Sequence, residues 1–184
     1  MKRIDATGAV RVFSAGDGLP WGVVTAIATD DAGVGAVALV ASMTRDGNAA
    51  TLFCLYHPEA DRWQTVATLP VSRSDWFAAM TGYDDVSHFQ RAGLTYHIAV
   101  GAKCAVLVPY ISTVREPLIL RYDRATGGAM PPLVAPVLAD GDTPFVATFG
   151  IARRGETLYL ATNVGLHAAH LDTGNVQRLS TVQN

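Results

Sequence analysis

The stretch G16-D-G-L-P-W-G-V-V-T-A-I-A-T-D-D-A-G33 is written a second time, about 124 positions later, as G141-D-T-P-F-V-A-T-F-G-I-A-R-R-G-E156. Each copy has a Gly-Asp pair, a Pro followed by an aromatic ring, a short apolar run through Ile27 or Ile151, and a charged turn. A chain that repeats a unit is built by placing copies of that unit side by side, so this feature limits the fold more than any composition figure does. Helical periodicity is scarce. Short β-branched and aromatic runs, bounded by Gly, Pro, Asp and Asn, recur at intervals of roughly 8 to 12 residues, which predicts an all-β array. The first unit reads as four strands: Val23 to Thr29, Gly35 to Met43, Thr51 to His57 and Trp63 to Leu69.

Three further segments mark reversals: Y56-H-P-E-A-D-R-W63, R121-Y-D-R-A-T-G-G128 and H170-L-D-T-G-N175. Each sets an aromatic or apolar residue ahead of a turn former, where Asp can bond its own backbone and Gly can take positive φ, so they predict hairpin tips. Counted from Tyr56 to Tyr122 to Leu171 they stand 66 and about 49 positions apart, so the middle unit carries extra residues, expected between Gly82 and Pro117. A fourth copy opens the chain, because I4-D-A-T-G-A-V-R-V-F13 reads like L171-D-T-G-N-V-Q-R-L179. The first residues then supply a tip and an outer strand ahead of the first complete unit.

With 184 residues, 49% of them hydrophobic, the chain is long enough for one compact domain. Its 14 basic and 16 acidic side chains give a net charge of -2 with the arginines scattered, which argues against a phosphate-tracking stripe and a nucleic-acid partner. Cys54 and Cys104 sit inside the apolar runs T51-L-F-C-L-Y56 and G101-A-K-C-A-V-L-V108, where a reduced thiol packs as a small hydrophobe. No stretch reaches signal-peptide or membrane-spanning length, so the expectation is a soluble cytoplasmic protein without a membrane partner. No P-loop, dinucleotide fingerprint, Gly-x-Ser-x-Gly elbow or zinc-type Cys spacing occurs, and no cofactor is expected.

The segments G18-L-P20, V24-T-A-I27, D31-A-G33 and L158-Y-L-A-T-N-V-G-L166 resemble the β-propeller repeats of sensor regions in two-component regulators. Y56-H-P-E-A-D-R-W-Q-T-V-A-T-L-P70 resembles the Tyr to Trp segment of Kelch repeats, although Ala36 to Val40 stand where paired glycines belong. The resemblance implies an all-β propeller of four-stranded antiparallel blades that binds ligands on its loop face. Three blades and an extra N-terminal outer strand can be counted over residues 1 to 184, and a propeller closes with at least four. Three solutions stay open. Two copies associate head to tail into a six-bladed homodimer, with the Ile4 to Phe13 strand crossing over. The chain is a piece of a longer one. Or the insertion within 82–117 hides a degenerate blade built from S87 to G101 and C104 to T113.

The loops entering each blade's first strand carry Trp21, Asp75, Trp76 and Phe145, candidates for binding a small molecule, a glycan or a protein partner, with the three rings suited to stacking. The plainer reading is packing between blades. Arg115 is a candidate clamp for an anionic ligand and, more plainly, a surface residue. Asp84, Asp85 and His88 form the densest polar cluster, suited to an acid-base or metal-assisted lyase or hydrolase, against the simpler reading of an exposed turn. His97 lies on an expected strand with Tyr96 and Ile98 on the opposite face. His167 and His170, three apart on a strand, point to opposite sides and cannot chelate together. The favoured expectation is a non-enzymatic, sensor-like binding module, and the alternative is a propeller enzyme using the Asp/His cluster.

Overall fold

The computed structural model describes residues 1–4, 7–43, 49–70, 96–113, 118–134 and 145–180. Its strands in chain order are β1 (Lys2–Ile4), β2 (Val10–Val12), β3 (Val23–Thr29), β4 (Ala36–Met43), β5 (Ala49–His57), β6 (Arg62–Pro70), β7 (Tyr96–Val100), β8 (Cys104–Pro109), β9 (Ile111–Thr113), β10 (Ile119–Asp123), β11 (Ala129–Leu133), β12 (Phe145–Arg154), β13 (Thr157–Thr162), β14 (Gly165–His170) and β15 (Val176–Ser180). Among the described residues they form three antiparallel blades, β3-β4-β5-β6, β7-β8-β10-β11 and β12-β13-β14-β15. The fold is all-β and propeller-like, with β3 against β7 and β7 against β12 along the inner edge.

The middle blade buries both faces of its inner strands against neighbours, which is why Cys104–Pro109 reads as an unbroken apolar run. In the first blade Val37, Leu39, Phe53 and Leu55 face the second blade and join Val100, Ala105 and Leu107 in one core. The alternate residues Ala38, Val40, Cys54 and Tyr56 point the other way. Val106, Val108 and Ile119 of the second blade pack on Val146, Leu158, Leu160 and Ala169 of the third. Residues 96–109, which sequence spacing assigned to an insertion, are the two inner strands of the second blade and do not make a fourth. The extra element is β9. It leaves the second blade after β8 and pairs antiparallel with the free inner edge of β12, matching Phe145 to Thr113 and Ala147 to Ile111.

The hairpin tips clamp one blade to the next. Arg124, at the β10–β11 tip, donates to Asp30 Oδ2 (2.8 Å) and to the Gly101 carbonyl (2.8 Å). Lys103, at the β7–β8 tip, reaches Asp172 at the β14–β15 tip (2.9 Å), the same arrangement with the charges exchanged. Burial pushes the Asp30 carboxyl up, but the Gly35 and Val34 amides and Arg124 together hold it below its ordinary value. Arg153 of the third blade pairs with Asp31 of the first, so the first-hairpin tips of those two blades meet.

The repeats are legible in the tips: Gly8, Gly127 and Gly174 all take positive φ, at 83°, 73° and 80°. At the start of the chain β1 and β2 form a hairpin whose Arg3 and Arg11 face inward. Arg3 donates to the Tyr56 hydroxyl (2.7 Å), and Arg11 donates to Asp61 (3.2 Å) and Asp17 (2.6 Å). Phe13 and Leu19 then cover Tyr56 and Trp63 on the outer face of the first blade. Gly18 permits this contact, because a Cβ there would meet the Trp63 carbonyl oxygen at 2.0 Å. The cover stops short of the innermost strand. Ile27 is 54% exposed, whereas its repeat counterpart Ile151 packs into the core between the second and third blades.

Candidate functional site

The candidate site lies where the loops entering the first strands meet the turns between second and third strands. Here β12 bulges between Thr148 and Gly150, opposite Thr162 and Ala161 of β13. A bulge re-aims the residue it inserts, and the inserted Phe149 is 55% exposed. Its ring meets Tyr110 edge-on at 6.1 Å and 71°, and Tyr110 in turn lies 6.4 Å from the His97 imidazole. Backbone bonds hold the three in place. The Thr148 amide donates to the Tyr110 carbonyl (2.7 Å), and the His97 Nε2 lies 2.9 Å from the Thr148 carbonyl. Because a carbonyl only accepts, that nitrogen carries the proton and Nδ1 is left as the acceptor in the neutral ring.

The polar floor beneath the rings is anchored by the turn between β13 and β14. Asn163 receives the Ala147 amide on its side-chain oxygen (2.8 Å) and returns its own amide to the Ala147 carbonyl (3.0 Å). The Thr162 hydroxyl donates to the Gly165 carbonyl (2.8 Å) and lies 3.4 Å from His167 Nδ1. His167 is buried, and burial first, then the nearby Arg178 charge, hold its pKa below the ordinary value, so the ring is neutral near pH 7. The Thr148 hydroxyl is fully buried and finds no partner among the described residues.

The first-blade rim contributes Trp21, which is 74% exposed, with the Ser42 hydroxyl donating to its carbonyl (2.7 Å). The ring is therefore a surface group held by its backbone and is not a wedge between blades. Phe145 opens β12 opposite Thr113. Asp75, Trp76, Asp84, Asp85, His88 and Arg115 lie outside the described residues. His97 faces the third blade while Tyr96 and Ile98 pack toward the first, as strand alternation requires. His167 is buried and the half-buried His170 accepts the Thr173 amide on its Nδ1 (3.3 Å), so the two serve different environments. Sequence reasoning missed Tyr110 and Phe149. Their signal was available in V-P-Y110 and T148-F-G150, where an aromatic ring sits at a strand end or beside a glycine.

Among the described residues no group of three or more His, Cys, Asp or Glu is placed to hold a metal ion. Both cysteines are free and buried in different blades, and burial raises their thiols to about 11. The described part of the site offers ring faces, one imidazole and backbone carbonyls. Such groups stack on and hydrogen-bond to a neutral or flat ligand.

No protein-family model matches the chain, and no curated protein matches it. Solved structures do. One is the extracellular domain of BT4673 from B. thetaiotaomicron, described as a one-component system, at 14% identity and a TM-score of 0.44. A second structure of the extracellular domain of BT4673, described there as a hybrid two-component system, aligns at 14% identity and a TM-score of 0.46. Each alignment takes in 97% of this chain and 20% of the other, so the chain spans about a fifth of the structures it matches. The expectation of a cytoplasmic location is corrected here: both matched structures are extracellular domains, and the cytoplasmic assignment is withdrawn. Among the described residues no helix is long and apolar enough to cross a membrane.

Proposed function

We propose that this chain is a non-enzymatic, sensor-like binding module that receives a small molecule, glycan or protein segment on the loop face bearing Tyr110, Phe149 and Trp21. The reading is carried by the bulge that turns Phe149 outward against Tyr110. A large ring held more than half in solvent by backbone geometry contributes little to stability and is well suited to stacking. His97 supplies a hydrogen-bonding edge beside the rings and is fixed in one orientation by the Thr148 carbonyl. Among the described residues, His97, Thr162 and Asn163 are engaged in positioning the strands, which suits recognition by shape and stacking.

Scanning fluorimetry against a panel of neutral oligosaccharides and aromatic metabolites tests the proposal. A saturable rise in Tm is expected for at least one class, lost in Phe149→Ala and weakened in Trp21→Ala, while the melting of both free variants stays within about 2 °C of the parent, as befits exposed positions. A ligand response that survives Phe149→Ala and Trp21→Ala together would refute this site. Turnover of a substrate abolished by Asp85→Ala or His88→Ala would refute the non-enzymatic reading.

A further inference from the structure

A cavity of about 430 Å3 opens at the outer edge of the first blade, lined by Gly18, His57, Ala60, Arg62, Trp63 and Gln64. Small-molecule sites commonly measure about 300–1,000 Å3. The cavity sits at the tip joining β5 to β6, at the opposite end of a blade from the turns between second and third strands, so it is separate from the face that bears Tyr110 and Phe149. Strand register decides which side chains share it. His57 pairs with Arg62 and Leu55 with Gln64, and alternation puts all four on one face of the blade, with Tyr56 and Trp63 on the other. Three polar side chains therefore stand together at the rim. Arg3 and Arg11 are held by Tyr56, Asp61 and Asp17, and Arg124 by Asp30. Arg62 is exposed and has no hydrogen bond or ion pair among the described residues. His57 Nε2 lies 2.7 Å from Gln64 Oε1. Because an amide oxygen only accepts, that nitrogen carries the proton and Nδ1 is an acceptor in the neutral ring.

We infer that this cavity is a second binding site, for a small hydroxylated monocarboxylate such as a sugar acid. The Arg62 guanidinium takes the carboxylate through its planar fork of donors, and a ligand hydroxyl donates to His57 Nδ1. The backbone that carries Arg62 is set in advance. Asp61, at φ 46°, turns the chain just ahead of it, and the Asp61 carboxylate accepts from the Tyr56 hydroxyl (2.5 Å) and Arg11 (3.2 Å). A left-handed conformation is unfavourable for a residue with a Cβ and persists where the surroundings hold it, as these bonds do. They also engage the acidic group nearest in sequence to Arg62, so the guanidinium is left for an outside partner. Charge selects the anion. One unpaired cation balances one negative charge, and the exposed Glu59, on the tip but outside the lining, disfavours a phosphate dianion. A pair formed in contact with solvent is weak, so the Kd is on the order of a millimolar.

Titration of the full chain with glucuronate up to about 20 mM at constant ionic strength tests the inference, read by calorimetry and, with Trp21→Phe and Trp76→Phe, by the emission of Trp63, which lines the cavity. Saturable binding is expected for glucuronate, with none for glucose and at least tenfold weaker binding for inorganic phosphate. Arg62→Ala should abolish it, Arg62→Lys, which keeps the charge and loses the fork, should weaken it at least threefold, and His57→Phe should do the same. Arg62→Gln repeats the measurement should Arg62→Ala alter the thermal melt. Arg154→Ala removes an exposed arginine of the third blade and should leave binding unchanged. No saturable signal by either readout, glucose or phosphate bound as tightly as glucuronate, affinity unaltered by the Arg62 variants or by His57→Phe, or loss of binding in Arg154→Ala overturns the inference.

Discussion

Replacing Phe13 by Ala should remove most of what holds the N-terminal segment on the first blade. The side chain is buried, meets Tyr56 at 5.4 Å and 70° and Trp63 at 6.1 Å and 86°, and lies under the guanidinium groups of Arg3 and Arg11 at 5.9 and 5.2 Å. Truncating a buried Phe costs about 3–5 kcal/mol, a figure that already contains the roughly 0.5–1.5 kcal/mol of each edge-on ring pair. The site lies at the end of the arc, where the short β1–β2 hairpin can settle into the space left behind, so a loss of about 3 kcal/mol is expected. Phe13→Leu, which keeps most of the apolar volume, should cost about 1 kcal/mol. Urea unfolding followed by fluorescence of Trp63, in a background with Trp21 and Trp76 changed to Phe, reads the effect. Emission of Phe13→Ala should shift to the red before the main transition, since the segment shields the indole. A loss below about 1 kcal/mol with unaltered Trp63 emission would refute the reading of residues 1–19 as the cover of the first blade.

Three further outcomes follow from the contacts described. Arg124→Ala strips the Asp30 carboxylate of its partner in a largely buried setting and should cost about 1–3 kcal/mol in urea unfolding, with Asp30→Asn costing a similar amount because its one amide oxygen can serve either Val34 or the Gly35 and Arg124 donors but not both sets. Since the folded Asp30 pKa lies below its ordinary value of 3.8, its contribution is complete above that value and is lost as pH falls through the lower folded value; acid titration should show a shallower limb in Asp30→Asn. The folded pKa of His167 is likewise depressed, here from 6.5, so stability should decline as pH falls from about 7 to 5 and decline less in His167→Asn. Cys54 and Cys104, with thiols raised to about 11, should resist a thiol reagent at pH 8 in the folded chain and both react at once in denaturant.

The first blade was legible nearly residue by residue, because its strands are long and its turns carry Asp, Gly or Pro. The tips were legible for the same reason: Asp123 accepts the amides of Ala125 and Thr126 and the Thr126 hydroxyl, which is the local chemistry that Asp-x-x-Thr spells. The second blade was not. Cys104–Pro109 is buried on both faces, so it shows no alternation, and five consecutive apolar residues say nothing about which blade they complete. Three-residue β9 has no pattern at all and is a strand only because the inner edge of β12 offers it partners. Trp21 stood out as a large ring after a proline. Tyr110 after Pro109 and Phe149 before Gly150 carried a local signal too, but what makes them a pair is a bulge and a crossing between blades, neither of which is encoded locally.

The β9 crossing bears on the order in which this protein is made. The segment belongs to the middle blade in sequence but bonds to Phe145, Val146 and Ala147, which leave the ribosome only after that blade's outer strands have been synthesised. A nascent chain released or stalled before residue 145 would hold a middle blade with one stitch hanging loose. Maturation of the second and third blades is therefore a joint event, and splitting the gene between them should give two halves that each lack an edge the other supplies.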